Sequence, residues 1–242
     1  MSSKNSNKLP AWDLSDMYKG IDDPKIGADL EKFRKNALSF AKKYKGKLAG
    51  LTAAEFLSAL KAEEKMSVLG GMLGEFAYLN MVTQMKNKDA MAFYQNISEK
   101  LTDYAKPTVF YTLEINKLED SRIKELLKDK EVAAYKYWLE RIRRYKKYEL
   151  SEAVEEVLLE KSVTSSSAWV RLYEEHSSRL KYFVDGKEYN DAELSKLLQD
   201  KDPAVREKAG KEMNRVSKEN GPLFAFIYNI CLLYTSPSPR DR

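Results

Sequence analysis

One histidine, His176, occurs in 242 residues, and any Ser-His-Asp triad or Cys-His pair would have to use it. His176 falls on a helical stripe with Trp169, Leu172, Tyr173 and Leu180, a position that reads as packing or hydrogen bonding within a helix. No second histidine and no cysteine stands at metal-ligand spacing from it. The one cysteine, Cys231, lies near the carboxyl end, which leaves neither a disulfide framework nor a cysteine metal site. Three carboxylate pairs, Glu63-Glu64, Glu155-Glu156 and Glu174-Glu175, are adjacent in sequence. Adjacent helical residues point apart, so none forms a dyad sharing a proton, and each reads as solvated charge. Arg141, Arg143, Arg144, Lys146 and Lys147 form the densest basic run. It could contact phosphate, but Glu140 and Glu149 flank it, and it reads as the polar face and cationic end of a helix. Gly70-Gly71-Met72-Leu73-Gly74 has no preceding strand and no following Lys-Ser/Thr, so it is a helix contact or a bend, not a phosphate loop. No catalytic, cofactor-binding or metal-ligating residue is assigned.

The elements that would position these residues are helical. Asp23-Pro24 is a helix start, and Leu30, Phe33, Ala37, Phe40, Ala41 and Tyr44 follow on one face. Thr52 and Glu55 form a capping box that opens a helix to about Lys86, with a bend expected at Gly70-Gly71. Asp89 opens the next helix, Pro107 interrupts it, and a short helix covers Ser121 to Lys128. One amphipathic helix is expected over Glu131 to Tyr148, with Tyr135, Trp138, Leu139, Ile142 and Tyr145 as its stripe. Two more helices cover Ser151–Ser162 and Ser166–Arg179. Asp185-Gly186, between aromatic and β-branched residues, predicts a hairpin over 182–189. Asn190 with Glu193 caps a helix to about Gln199, and Asp202-Pro203 starts a last one ending near Asn220-Gly221-Pro222. The fold class is therefore all-α, an antiparallel helical array with one small β-hairpin.

Composition agrees. A hydrophobic fraction of 43% with 33% charged residues belongs to a globular chain able to bury a core. The net charge of +5 comes from 42 basic and 37 acidic residues intermixed along the chain, which is not a nucleic-acid footprint. No apolar run spans a bilayer, and the polar opening MSSKNSNKLP lacks a secretory core. A cytoplasmic location is expected, with residues 1–8 a disordered leader and Trp12, Leu14, Met17 and Tyr18 anchoring a short arm.

The carboxyl end is anomalous. Leu223 to Leu233 reads as the opening of a buried helix, yet YTSPSPRDR follows, with Pro237 and Pro239 excluding helix. CLLYTSPSPRDR resembles translated adapter read-through, so residues 231–242 are expected to be non-native and the natural protein to continue differently beyond Ile230.

The stretch ELSEAVEEVLLEKSVTSSSAWVRLYEE, then LKYFVDGKEYNDAELSKLLQDKDPAVREKA, resembles the amino-terminal half of oligoendopeptidase F, a family of zinc metallopeptidases related to thimet oligopeptidase. Trp12-Asp13-Leu14-Ser15-Asp16-Met17-Tyr18 is similar to the family's opening signature, and the likeness covers residues 9–230. It implies a helical lobe walling the channel of a zinc-dependent oligopeptidase that hydrolyses short peptides. Zinc would be held by an H-E-x-x-H helix and a downstream glutamate in the missing carboxyl-terminal catalytic half, the motif glutamate acting as general base. H-E-x-x-H is absent from these residues, so the resemblance implies inactivity of the stretch alone. The competing expectation is a complete, non-enzymatic helical module that binds an acidic partner, with the basic helix at Arg141–Lys147 or exposed aromatics as its partner surface.

Overall fold

The computed structural model of the protein describes residues 12–85 and 87–235, with side chains up to residue 230. The expected leader, residues 1–8, and Pro237 and Pro239 lie outside the described residues. The chain divides into two compact units, Met1–Glu160 and Lys161–Arg242.

The first unit is built on α1 (Pro24–Tyr44), α2 (Ala53–Val82) and α3 (Lys88–Ala105). Each start is capped by the residue its sequence supplies. Asp23 accepts from the Lys25 amide, and Thr52 and Glu55 complete a capping box. Asn87, two residues before the expected start at Asp89, accepts from the Asp89 and Ala90 amides. Such caps stabilise a helix by about 1 kcal/mol each. Pro107 ends α3 in a 3₁₀ turn over Lys106–Thr108, after which α4 (Phe110–Lys117) resumes and α5 (Asp120–Leu126) follows. The predicted face of α1 is the buried one. Phe33, Ala37, Phe40 and Tyr44 pack with Phe56 and Leu60 of α2 and Phe110 and Tyr111 of α4. A second cluster joins Tyr18, Leu30, Leu73, Phe76 and Ile97. Tyr18 anchors the arm as expected, its hydroxyl donating to Asp29 at 3.0 Å. Trp12 does not, for its ring is exposed.

The helix expected over 131–148 is broken. It becomes α6 (Lys130–Ala133), α7 (Lys136–Arg143) and a 3₁₀ turn over Lys146–Tyr148. The break falls at Tyr135, where ψ is 3° and the side chain turns to donate its hydroxyl to Glu64 of α2 at 2.7 Å. Tyr145, placed on the expected apolar stripe, is exposed as a result. α8 (Glu152–Ser162) follows.

The second unit holds α9 (Ser166–Ser178), the hairpin β1 (Tyr182–Val184) and β2 (Lys187–Tyr189), α10 (Asp191–Leu197) and α11 (Pro203–Thr235). The strands pair antiparallel in the register Tyr182 to Tyr189 and Val184 to Lys187. Asp185 and Gly186 both take positive φ, 52° and 78°, the mirror-image turn that suits strand twist. Tyr182, Val184, Leu194, Ala209 and Val216 form this unit's core. α11 does not stop at Gly221-Pro222 but carries Pro222 inside it and continues to Thr235. Proline costs the helix one amide donor there, but its ring meets no Cβ on the preceding glycine, which lowers the usual steric cost of an α conformation before proline.

Candidate functional site

His176 lies on α9, half-buried against α11. Its Nε2 is 2.7 Å from Asn220 Oδ1, while Asn220 Nδ2 donates to the Val216 carbonyl at 2.8 Å. With the amide nitrogen engaged on a carbonyl, Oδ1 must face the imidazole, so Nε2 carries the hydrogen. The ring also meets Phe224 edge-on at 5.6 Å. His176 is thus a structural fastener between two helices, the role its stripe position suggested. Among the described residues no group of three or more His, Cys, Asp or Glu side chains converges where it could hold a metal ion.

The carboxylate pairs behave as sequence geometry dictates. Glu63 accepts from Ser67 Oγ at 2.5 Å and Glu64 from Tyr135 Oη at 2.7 Å, so the two carboxylates take different partners. Both line a groove of about 750 Å³ with Leu60, Trp138 and Arg141.

The basic run does not act as one strip. Arg141 faces that groove, whereas Arg144 lines another of about 650 Å³ with Lys124 and Leu127. Arg143 turns inward. Its guanidinium donates to the Ile115 and Leu118 carbonyls at 2.8 and 2.9 Å and to Asp120 at 2.6 Å. A cation at the carboxyl end of α4 complements its dipole, sharing the Ile115 carbonyl with the Leu118 amide that caps the helix. Asp120 is held below the usual carboxylate range by this arginine.

Sequence reasoning missed the polar core beside it. Asn116 is buried, and its Nδ2 donates to the Ile142 carbonyl and to the Glu149 carboxylate. Burial raises the Glu149 pKa, and the hydrogen bond from Asn116 works against that rise. Nothing in the residue spacing signals this, since Asn116 and Glu149 are 33 positions apart.

The glycine cluster is a helix contact, inside an α2 that runs unbroken from Ala53 to Val82. A Cβ at Gly70 would stand 2.8 Å from a ring carbon of Phe33 on α1, and one at Gly74 would stand 3.5 Å from Leu101 on α3.

The feature with the least structural explanation is a groove of about 490 Å³ between α9 and α11, lined by Trp169, Val170, Tyr173, Phe224, Ala225, Ile227 and Tyr228. Trp169 meets Phe226 at 5.9 Å and Tyr173 meets Phe224 at 5.5 Å. The i, i+4 spacing of Trp169 with Tyr173 and of Phe224 with Tyr228 could have revealed it, since it puts two aromatics on one face of each helix. No helix among the described residues is long and apolar enough to cross a membrane.

The family model described as Oligopeptidase F matches residues 114–182, the segment running from α4 through the first residue of β1. This chain resembles the amino-terminal part of oligopeptidase F. It is 27% identical over 181 residues to oligopeptidase PepF of Bacillus subtilis, an alignment covering 68% of this chain and 26% of the relative. The fold matches that of oligoendopeptidase-F from Enterococcus faecium with a TM-score of 0.71 at 19% identity, over 85% of this chain and 42% of that one. The chain therefore spans about a quarter of the curated relative and less than half of the solved structure. The all-α class with one hairpin and the likeness to oligoendopeptidase F both stand.

Proposed function

We propose that this chain is the amino-terminal, channel-walling lobe of a zinc-dependent oligopeptidase that hydrolyses short peptides. The observation that carries the reading is the oligopeptidase F match over residues 114–182, supported by a fold likeness that extends over 85% of the chain. In this reading the 242 residues contribute a scaffold. Arg143 and Asn116 lock α4 to the segment around α7, His176 fastens α9 to α11, and no side chain here acts on the scissile bond. Zinc and its ligands, with the water they would activate, belong to polypeptide outside these residues. No step of hydrolysis is assigned to this chain, whose place in the reaction is to shape access to the centre. The enzyme is placed in the cytoplasm.

The test is the parent gene. Its reading frame beyond codon 230 should encode H-E-x-x-H, and the full-length protein should cut a quenched fluorescent peptide in a chelator-sensitive way. The 242-residue chain should do neither that nor bind zinc stoichiometrically. A continuous downstream frame without the motif, or chelator-sensitive cleavage by the chain alone, would refute the proposal.

A further inference from the structure

The apolar groove between α9 and α11 is built without a ligand of its own. Its walls are aromatic and aliphatic, and Tyr173 and Tyr228 among them are 49% and 65% exposed. Large aromatics clustered on one face mark a contact surface, because water solvates them poorly and scattered exposure would not gather them. The groove is also preformed. The hydrogen bond from His176 to Asn220 and the edge-on contact of His176 with Phe224 tie its two helices together at one end. A preformed seat loses little side-chain entropy when it is filled, which favours a permanent occupant.

We propose that this groove seats an apolar helical segment from the part of the parent oligopeptidase that lies outside this chain. The inference rests on the proposed function above. Three observations choose this occupant. The groove offers no charged side chain among its lining residues, so it fits aliphatic and aromatic side chains and not an acidic or basic partner. One wall, Trp169 to Tyr173, falls inside the segment matched by the oligopeptidase F model, so that wall belongs to the part of the chain that resembles those proteins. The curated relative also carries nearly three quarters of its length outside the aligned stretch, since the alignment covers 26% of it. That is ample polypeptide to supply a helix with side chains at i, i+3 and i+4.

Hydroxyl-radical footprinting read by mass spectrometry tests this on the 242-residue chain and on the full-length parent, with Tyr137, 70% exposed, as the reference. Relative to Tyr137, oxidation of Tyr173 and Tyr228 should fall at least about fivefold in the parent, as expected for side chains at the dry core of an interface. Equal oxidation in the two proteins overturns the inference. So does protection in the short chain that grows with its concentration, since that would make a second copy the occupant. Peptide cleavage by the same parent sample separates the two claims. An active parent with an exposed groove sinks only the docking, whereas an inactive parent with a protected groove sinks only the enzyme reading.

Discussion

Gly70 and Gly71 are neighbours in the middle of α2, yet alanine at each should move stability in opposite directions. Replacing a helical glycine by alanine stabilises by about 0.5–1 kcal/mol, chiefly by restricting the unfolded chain. At Gly71 nothing lies within 4 Å of the new methyl, so that gain should appear in full. At Gly70 the methyl would stand 2.8 Å from one Phe33 ring carbon and 3.4 Å from two others. The ring is held among Ala37, Phe40 and Leu60 in the main core and cannot swing aside as an exposed side chain would. Overpacking of this kind costs about 1–3 kcal/mol. The net for Gly70→Ala is then a loss of about 1 kcal/mol, and the two variants should differ by about 2 kcal/mol. With a urea slope of about 2 kcal/mol per molar, their midpoints separate by about 1 M. Tryptophan fluorescence in a Trp169→Phe background follows the Met1–Glu160 unit, since Trp12 and Trp138 both belong to it. Equal stabilisation by both alanines would refute the close α1–α2 approach.

Asn116→Ala should destabilise by about 1–3 kcal/mol, because the Ile142 carbonyl and the Glu149 carboxylate lose a buried donor. In the same variant the Glu149 titration, followed by NMR, should move further above the ordinary glutamate value, and a fall toward it would contradict the network. The sign for stability follows. With its folded pKa above the unfolded one, Glu149 costs stability as pH rises from the unfolded value through the folded one. Glu149→Gln should therefore flatten that part of the pH–stability curve. Thr52→Ala should cost about 1 kcal/mol by removing half of the capping box, as read by urea denaturation. Gly186→Val should also destabilise the second unit, since a β-branched residue is strained at a φ of 78°. An unchanged midpoint would argue against the turn.

What this sequence determines by itself is local. Caps at Asp23, Thr52 and Asn190, the buried face of α1 and the Asp185-Gly186 turn are all written within a few neighbouring residues, and the structure shows each of them. Adjacent carboxylates diverge for the same short-range reason. The solitary His176 was legible as a packing residue because its stripe was aromatic, although its partner Asn220, 44 positions away, was not.

Tertiary structure decided what depends on distant partners. Periodicity favoured one helix over 131–148, but the Tyr135 hydroxyl meets Glu64, 71 residues earlier, and the helix breaks at that residue. Local rules end a helix at Gly221-Pro222, yet glycine before proline lowers the steric cost of continuing, and α11 runs through both residues. Arg143 reads as one of five surface cations in the sequence, yet it turns inward to the carbonyls of Ile115 and Leu118. Spacing along a chain encodes which face a residue occupies. Only the folded chain decides what that face meets.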